Sequence, residues 1–358
     1  MFRRESQWPL CNLKRNRQWS NLKEKLLNSD NIHNGADVIH HNDYKKEVMT
    51  IGSKSATKFA LDYEEKNVPA IILGATVGWK CMPAYSSDLQ YSPQIRSGGW
   101  TFSNLLSRFA DVNWRFSDTH GEMMTLRTYA KYISNLEGIT DDSPLGIYDS
   151  EFGEDYPTNE LLKEYDVPSC FSPDLFELAK QNDQSEALDR STSRPPYRWI
   201  LIGPERSGTG MHVDPLFTNA FVSIIQGKKR WMLFPPSVPQ KEIGMVEGTP
   251  QINSATWFKI YYAKVTSDEW PDAWRPIEVI QKPGQTVFVP NGWPHVVLNL
   301  ELTVAVTHNY ASEHGPFERM WQEVETEEPE FAERWLKGLK EKRQDLFNRV
   351  INLSKGLE

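Results

Sequence analysis

The stretch Gly208-Thr-Gly-Met-His-Val-Asp-Pro-Leu216 places a histidine and an aspartate, His212 and Asp214, two residues apart. On an extended strand, residues i and i+2 point to the same face of the sheet, so both side chains can hold one ion. A second histidine, His295, lies far downstream in Asn291-Gly-Trp-Pro-His295. Two histidines and one carboxylate, with the other metal positions open, form the facial triad of non-haem Fe(II) oxygenases. The spacing therefore predicts that His212, Asp214 and His295 are metal ligands and the catalytic centre.

The part of the chain around this stretch has a β-rich texture. From Arg194 onward, short runs rich in β-branched and aromatic residues are separated by glycine and proline. This pattern is typical of a β-sandwich or a small barrel. The predicted strands are Tyr197–Ile202, Met211–Asp214, Ala220–Gln226, Arg230–Phe234, Trp257–Tyr262, Ile277–Gln281, Thr286–Val289, His295–Asn299 and Leu302–Thr307.

Helical patterns flank this β-rich part on both sides. Before it, Val68–Leu73 is predicted as a buried strand, Trp100–Phe109 as a helix and Leu145–Asp149 as a short strand. After Pro316, apolar residues recur at helical spacing, which predicts two or three amphipathic helices whose apolar faces pack either in the core or in a homodimer. The expected organisation is a basic N-terminal helical arm at 1–65, an α/β flank at 66–193 with a polar insertion at 181–193, a β core at 194–312 and C-terminal helices at 313–358.

Strand alternation predicts which side chains face a common interior. Lys229 shares a face with Trp231 and Leu233, so an inward Trp/Leu face buries an ammonium group that needs a partner. On the last strand, Thr307 and Asn309 share a face with small residues, as the wall of a ligand cavity requires. The competing interpretation is that the histidines are satisfied core residues and that Lys229 extends to water.

The charges of this interior fit one kind of co-substrate. Ferrous iron and Lys229 would balance the Asp214 carboxylate together with a dicarboxylate such as 2-oxoglutarate, and a desolvated site favours such neutrality. Thr209 and Thr307 are placed to hydrogen-bond the carboxylate that Lys229 binds. These residues are therefore predicted to bind the co-substrate.

Composition limits the class of partner. The chain has 358 residues and a formal net charge of −8, which argues against a dedicated nucleic-acid binder and suits a basic protein or peptide substrate. Its 3 cysteines are few and odd in number, which predicts reduced thiols in an intracellular protein. No apolar run reaches the roughly 18 residues of a membrane span, and a secretory signal is not expected.

The N-terminal arm is the basic exception in this acidic chain. Residues 1–25 carry 7 lysines and arginines, which predicts either a solvated helical arm or a patch for nuclear import or docking. Direct contact with nucleic acid is expected only through this arm. The expected location is the nucleus, or the nucleus and the cytoplasm.

Several motifs carry a resemblance to a known family. The chain is similar to JmjC-domain Fe(II)/2-oxoglutarate oxygenases, in particular to the branch named for bifunctional arginine demethylase and lysyl-hydroxylase activity. The similarity is densest between Arg194 and Tyr310. The motifs are Arg194-Pro-Pro-Tyr-Arg-Trp199, Gly203-Pro-Glu-Arg-Ser-Gly-Thr-Gly-Met-His-Val-Asp-Pro215, Gln226–Trp231, Gln281-Lys-Pro-Gly-Gln-Thr-Val-Phe-Val-Pro290 and Gly292-Trp-Pro-His295.

This resemblance implies a mainly β fold with α flanks, whose core is a double-stranded β-helix (a jelly roll, cupin-like). It implies Fe(II), 2-oxoglutarate and O2 as cofactors, with His212, Asp214 and His295 at the metal positions. Lys229, Thr209 and Thr307 match the family's co-substrate positions. The implied reaction is lysine hydroxylation, or demethylation of methylarginine or methyllysine, in a basic protein such as a histone tail or a splicing or translation factor. That would make the chain a histone demethylase or a chromatin regulator.

Two positions depart from the branch. Within the strand Leu145–Asp149, the branch has a tyrosine at the position where this chain has Gly146. Within Ala220–Gln226, the branch has an asparagine where this chain has Val222. Tyr148 lies two residues after Gly146 and faces the same side of the strand, so Tyr148 is predicted to bind the co-substrate. Asn309, which shares a strand face with Thr307, is predicted to bind it as well. The departures leave two other functions open: a JmjC scaffold that is weak or inactive as a catalyst, and a cupin-type isomerase or small-molecule dioxygenase.

Overall fold

The computed structural model describes residues 19, 22–24, 33–34, 37–40, 58–83, 98–116, 122–141, 143–179 and 194–354. Within these ranges two antiparallel sheets dominate, one with strand order β1-β11-β10-β13-β8 and one with order β2-β3-β12-β9-β14-β7-β6. The pairing of β2 with β3 is parallel. The strands are β1 His33–Asn34, β2 Asp37–His40, β3 Ala70–Leu73, β4 Asn113–Arg115, β5 Met123–Thr125, β6 Ile147–Asp149, β7 Arg198–Gly203, β8 Gly208–His212, β9 Asn219–Gln226, β10 Lys229–Leu233, β11 Ile277–Gln281, β12 Gln285–Val289, β13 His295–Asn299 and β14 Thr303–Tyr310.

The two sheets bury their facing sides against each other. Alternate residues of β9, β10, β13 and β14 meet in one apolar cluster that includes Val222, Trp231, Val297 and Ala305. Their sequence neighbours face outward into other clusters, because successive side chains on a strand point to opposite faces. The predicted jelly-roll core with α flanks is confirmed, and so is the inward face shared by Trp231 and Leu233.

Helices cover the flanks of this sandwich. Thr101 begins the first helix, since its hydroxyl accepts a hydrogen bond from the backbone N–H of Asn104 at 3.3 Å. The C-terminal helices bury one apolar stripe against a turn at Leu175–Ala179, where the Trp335 indole donates to the Leu175 carbonyl at 2.9 Å. The helices are α1 Phe102–Phe109, α2 Leu126–Ser134, α3 Leu136–Thr140, α4 Ser254–Val265, α5 Phe317–Glu327, α6 Pro329–Lys342 and α7 Gln344–Ser354.

The C-terminal helices were predicted from their apolar spacing and are present. Their apolar residues, among them Trp321, Trp335 and Leu339, are buried inside the chain itself. The homodimer proposed for this region therefore stays a prediction that needs a surface other than this buried stripe. No described helix combines the length and the apolarity that crossing a membrane would require.

One predicted strand is wrong. Trp257–Tyr262 lies inside helix α4, not in a sheet. The Asn253 side chain caps that helix by accepting the backbone N–H of Thr256 at 2.9 Å. Phe258 and Val265, which lie two helical turns apart, are fully buried, while Ile260 between them is 50% exposed, which is the spacing of a helix with one buried face.

Two predicted features lie outside the described residues. These are the polar insertion at 181–193 and most of the basic arm at 1–65. Of the basic residues in the first 25, Lys23 is described, and its ammonium pairs with Glu205 at 2.9 Å. Cys81 and Cys170 are buried free thiols, as expected for reduced cysteines.

Candidate metal centre and co-substrate cavity

Two adjacent strands bring the predicted metal ligands together. His212 ends β8 and His295 begins β13, and the two residues are partners across the antiparallel pair. Asp214 follows two residues after His212, at the mouth of the sandwich. One ligand atom from each of the three residues lies within 4.8 Å of the other two. Sheet register therefore gathers ligands that are more than eighty positions apart in the sequence.

Both imidazoles are oriented by the backbone of their own strand. Nδ1 of His212 lies 2.8 Å from the carbonyl oxygen of Gly210, and Nδ1 of His295 lies 2.9 Å from that of Trp293. These carbonyls accept the Nδ1 proton, which leaves each Nε2 as the lone-pair donor. The two Nε2 atoms lie 3.7 and 4.0 Å from Oδ1 of Asp214, so all three donors face one point.

The electrostatics of the triad favour a bound cation. Burial lowers the pKa of His295 to about 4, helped by the charge of His212, so this imidazole is neutral at pH 7. Burial opposes the charged form of His212, but the bond to Asp214 outweighs it and raises the pKa of His212. Burial opposes the Asp214 carboxylate as well, yet the two histidines hold its pKa below the usual range. The centre thus keeps a carboxylate and a neutral imidazole ready for a metal.

One buried atom of the triad lacks any partner. Oδ2 of Asp214 is buried and accepts no hydrogen bond from the described residues. A buried carboxylate oxygen without a donor costs free energy that a metal ion would recover. A donor set of two imidazole nitrogens and one carboxylate oxygen suits ferrous iron, so these residues fit the ion that the triad predicts.

A cavity of about 250 Å³ opens inward from the triad, between the two sheets. Lys229 lies at its far wall and is 3% exposed. Its ammonium donates to Oδ1 of Asn299 at 2.9 Å, and the Asn299 amide donates to the Ser207 hydroxyl at 2.8 Å. Burial lowers the pKa of Lys229 to about 7. This lysine therefore carries one neutral hydrogen-bond partner and no counter-ion among the described residues.

Four further predicted residues line the same cavity: Tyr148, Thr209, Thr307 and Asn309. The hydroxyls of Tyr148 and Thr209 are hydrogen-bonded to each other. The Thr307 hydroxyl donates to the Phe221 carbonyl at 3.0 Å, and the Asn309 amide donates to the Thr218 hydroxyl at 2.8 Å. The structure thus brings all the predicted metal-binding and co-substrate residues to one cavity.

Comparison with known proteins identifies the family. A family model described as a cupin-like domain matches residues 56–315. The chain is 36% identical over 319 residues to the bifunctional arginine demethylase and lysyl-hydroxylase psr-1 of Caenorhabditis elegans, covering 87% of this chain and 72% of the relative. The chain belongs to the cupin-like JmjC family.

Other JmjC relatives carry related names. The arginine-specific demethylase JMJ22 of Arabidopsis thaliana is 34% identical over 75% of this chain and 47% of its own length. The 2-oxoglutarate and iron-dependent oxygenase JMJD4 of Homo sapiens is 25% identical over 77% of this chain and 63% of its own. Both matches cover most of this chain, so the likeness is not limited to the metal-binding motif.

The two departures from the JmjC branch are both visible at the cavity. A side chain at Gly146 would begin 3.7 Å from the Tyr148 ring and 3.6 Å from the Ile202 carbonyl oxygen, so that ring occupies the space beside residue 146. Val222 faces the cavity from β9, directly across from Thr307. The cavity therefore has the Tyr148 ring beside Gly146 and an apolar wall at Val222.

Two residues at this JmjC site were missed from the sequence. Asn299 holds Lys229, and Ser207 holds Asn299. Alternation from His295 places Asn299 on the inner face, opposite Lys229 on β10, so strand pairing would have revealed it. Ser207 gave no signal because it lies in a turn whose path depends on the fold.

The other described histidines take no part in this centre. His308 follows Thr307 on β14 and faces the outer side of the sheet, where its ring stacks on that of Phe221. The backbone N–H of His314 donates to the Ser312 hydroxyl at 3.3 Å in the turn after that strand. The side chains of His33 and His40 and the whole of His41 and His120 lie outside the described residues.

Proposed function

We propose that this chain uses the His212, Asp214 and His295 centre to oxidise a side chain of a basic protein, with Fe(II) and 2-oxoglutarate. It is an enzyme of the JmjC protein oxygenase and demethylase class, as its membership in the family and its named relatives indicate. The observation that carries the proposal is the pairing of a three-ligand centre with one buried lysine in the same cavity.

Each residue in the cavity has a distinct role in this proposal. His212 and His295 would bind the metal through Nε2, and Asp214 through its carboxylate. Bound ferrous iron would supply the oxidative chemistry, in which O2 activation is coupled to decarboxylation of 2-oxoglutarate. Lys229 would bind the distal carboxylate of 2-oxoglutarate, because charge-assisted bonds to a carboxylate are stronger than neutral ones.

The hydroxyl groups complete the binding of this carboxylate. The bonded pair Tyr148 and Thr209 can turn one O–H toward the carboxylate, Thr307 can do so if its bond to the Phe221 carbonyl is exchanged, and Asn309 offers its second amide N–H near the triad. Trp231, Val297 and Val222 give this cavity apolar walls. Such walls strengthen the attraction between Lys229 and the diacid, because they lower the local dielectric.

The substrate that we propose is a lysine side chain or a methylated arginine or lysine of a basic protein, such as a histone tail or a splicing or translation factor. An acidic chain with a net charge of −8 attracts such a partner. Oxidation at a lysine carbon leaves a hydroxyl group, whereas oxidation at an N-methyl carbon releases formaldehyde. A nuclear location, alone or shared with the cytoplasm, is part of the same proposal.

The test is turnover of 2-oxoglutarate by the purified chain with ferrous iron and a basic peptide. Succinate is expected only when iron is present, and peptide mass spectrometry is expected to show about +16 Da for hydroxylation or about −14 Da for demethylation. A chain that binds iron and 2-oxoglutarate but forms no succinate would act as a binding scaffold. A turnover rate that is independent of 2-oxoglutarate would favour a different cupin-type reaction.

A further inference from the structure

Lys229 projects into the cavity at the triad (the inner cavity), but the groups that hold it lie behind the cavity wall. The residues that line the inner cavity include Lys229 but neither Asn299 nor Ser207. Asn299 is 4% exposed and Ser207 is 5% exposed, so both side chains are buried. Any effect of these two residues on a ligand in the inner cavity therefore passes through Lys229.

Three hydrogen bonds lead away from the ammonium, all in one direction. Lys229 donates to Oδ1 of Asn299 at 2.9 Å, and Nδ2 of Asn299 donates to the Ser207 hydroxyl at 2.8 Å. The Ser207 hydroxyl donates in turn to the Pro204 carbonyl at 2.5 Å. An ammonium can only donate, and the serine has already given its one proton to Pro204. Both ends of the chain therefore require the same orientation of the Asn299 amide.

The backbone that carries these side chains is fixed by further hydrogen bonds. The N–H of Asn299 donates to the Ser207 carbonyl at 2.8 Å, and the N–H of Arg206 donates to the Asn299 carbonyl at 2.9 Å. The buried Arg206 guanidinium donates to the carbonyls of Gly138 and Asp141, both at 3.0 Å. The turn that contains Ser207 is thus bonded to β13 on one side and to the end of helix α3 on the other.

Gly203 leaves the room in which this serine and asparagine meet. A side chain at Gly203 would overlap the Ser207 hydroxyl and would begin 2.7 Å from the Asn299 amide nitrogen. Packed carbon atoms do not approach polar atoms so closely, so only glycine fits beside the bonded pair. The local sequence from Gly203 to Ser207 therefore suits a buried bond between Ser207 and Asn299.

Strand β13 connects the two ends of the inner cavity. It begins at His295 and ends at Asn299, and Asn299 is the partner of Lys229 on β10. Residues i and i+4 of a strand share a face, so the metal ligand and the residue that holds Lys229 lie on the same side of β13. The ammonium therefore keeps a fixed position relative to the triad for as long as Asn299 holds it.

The group that holds Lys229 is neutral, which leaves the charge of the lysine unmatched. An ammonium has three N–H groups, and Asn299 accepts one of them. Two N–H groups remain for a ligand. A carboxylate in place of the amide would hold the lysine as well but would cancel its charge before a diacid arrives.

We propose that Asn299, oriented by Ser207, is a positioning residue that keeps the Lys229 ammonium directed at the distal carboxylate of the co-substrate. This inference rests on the proposed function, in which Lys229 binds that carboxylate. Asn299 touches no ligand itself. Its neutral amide fixes the direction of the lysine and leaves the positive charge for the diacid. Asn299 therefore affects binding of the distal carboxylate and not binding at the metal.

The experiment compares two ligands that differ only in the distal carboxylate. These are 2-oxoglutarate and 2-oxopentanoate, in which a methyl group replaces that carboxylate. Calorimetric titration measures the Kd of both, with ferrous iron bound to the protein and oxygen absent. The Kd of 2-oxopentanoate divided by that of 2-oxoglutarate is the gain from the distal carboxylate. For the wild type this gain is expected to be about a hundredfold, as for a buried ionic contact.

Two variants test the two parts of the proposal. Asn299→Asp keeps the shape of the side chain, but its carboxylate pairs with Lys229 and repels the carboxylate of the ligand. The gain is therefore expected to fall to about threefold or less. Ser207→Ala removes the acceptor that orients the amide, and the gain is expected to fall about fivefold, as for the loss of one neutral hydrogen bond. In both variants the Kd of 2-oxopentanoate is expected to stay within about threefold of the wild type, because the metal end of the cavity is unchanged.

Ser254→Ala is the matched control. It removes an equally buried hydroxyl, which donates to the Val297 carbonyl of the same strand β13 at 2.6 Å but has no bond to Lys229 or Asn299. Both Kd values are expected to match those of the wild type. Thermal melting checks that all three variants are folded, and Ser207→Ala is the milder change if Asn299→Asp does not fold.

The outcomes separate a positioning role from a structural one. If Asn299 only supported the fold, Asn299→Asp would weaken both ligands alike and keep the gain at its wild-type value, which would overturn the proposal and leave the proposed function intact. An unchanged gain in Ser207→Ala would overturn the role given to Ser207. A wild type that binds the two ligands equally well would refute the role of Lys229 in the proposed function, and this inference with it.

Discussion

The two faces of strand β14 differ in how well their charges are satisfied. On the inner face, Oδ2 of Asp214 has no hydrogen-bond donor and Lys229 has only the neutral Asn299 oxygen. On the outer face, Arg194 is held by two carboxylates and by a ring. The inner cavity thus has one unmatched charge at each end, whereas the arginines on the outer side are already paired with carboxylates.

This difference in charge matching determines what each face of the sheet can bind. Unmatched buried charges are costly, so the inner face is complementary to a ligand set that supplies a cation at one end and an anion at the other. The arginines on the outer face already have counter-ions, so these charges gain little from a ligand. We therefore expect large effects from changes on the inner face and small effects from changes on the outer face.

The largest effect is expected from Asp214→Ala. Removal of the carboxylate takes away the one anionic ligand, so bound iron is lost and turnover of 2-oxoglutarate falls by at least about a thousandfold. Metal content is measured by mass spectrometry of the digested protein, and turnover by succinate release. Asp268→Ala, a change at an exposed aspartate, is the control. Wild-type turnover in Asp214→Ala would end the assignment of the metal centre.

A smaller loss is expected from Lys229→Met. The apparent Kd for 2-oxoglutarate is expected to rise about a hundredfold, because one carboxylate loses its buried ionic partner. The neighbouring Lys228 points the other way and pairs with Glu301 at 2.7 Å, so Lys228→Met is a matched control that is expected to bind normally. Calorimetric titration measures both, and equal Kd values for the two variants would refute the role of Lys229.

The pH dependence of 2-oxoglutarate binding is expected to follow Lys229. Its pKa is about 7 against an ordinary 10.5, so burial disfavours the ammonium in the empty cavity. Below pH 7 the group is charged and binds the diacid directly. Above pH 7 binding must take up a proton, so the Kd rises by up to about tenfold per pH unit.

Lys229→Arg sharpens this experiment because arginine stays charged throughout the range. Its Kd, even if weaker overall, is expected to be flat between pH 7 and pH 8.5, whereas that of the wild type rises. The same low pKa makes the ammonium costly for folding below about pH 7, and this cost declines as the pH rises toward 10.5. A wild-type Kd that does not change with pH would contradict the buried ammonium.

The smallest effect is expected from Tyr148→Phe. Loss of one neutral hydroxyl donor, worth about 1 kcal/mol, weakens 2-oxoglutarate binding about fivefold. Tyr156→Phe, at a residue that is 81% exposed, is the control. If Tyr148→Phe binds 2-oxoglutarate like the wild type, the Tyr148 hydroxyl does not take the role of the tyrosine that the JmjC branch has at position 146.

Much of the inner face could be predicted from the sequence, because a period of two fixes which side chains share a face. Lys229 beside Trp231, and Thr307 beside Ala305, were placed inward from this rule alone. The His-x-Asp spacing worked in the same way, although His212 ends its strand and Asp214 lies just beyond it. The pairing of His212 with His295 required the sheet register, which spacing within one strand does not contain.

Other features could not be predicted, for identifiable reasons. The segment Trp257–Tyr262 is rich in aromatic and branched residues, which favour a strand. It forms a helix instead, because Asn253 caps the helix N-terminus and Trp257 packs against the sheet. On the outer side of the sheet, the Tyr165 hydroxyl is hydrogen-bonded to His308, more than 140 positions later. Such a meeting of distant segments leaves no local pattern in the sequence.

The carbonyls of Gly210 and Trp293 each hold the imidazole that follows two residues later. Because this arrangement is completed by two neighbouring strands, the ligands converge as soon as the sheet forms. The conformational entropy lost in bringing the three ligands together is therefore lost when the chain folds and not when the metal binds. Chelation is therefore expected to empty the centre without unfolding the chain, unlike small zinc domains. Other divalent ions are expected to compete for the same donor set, because imidazole and carboxylate ligands also suit several other first-row metals.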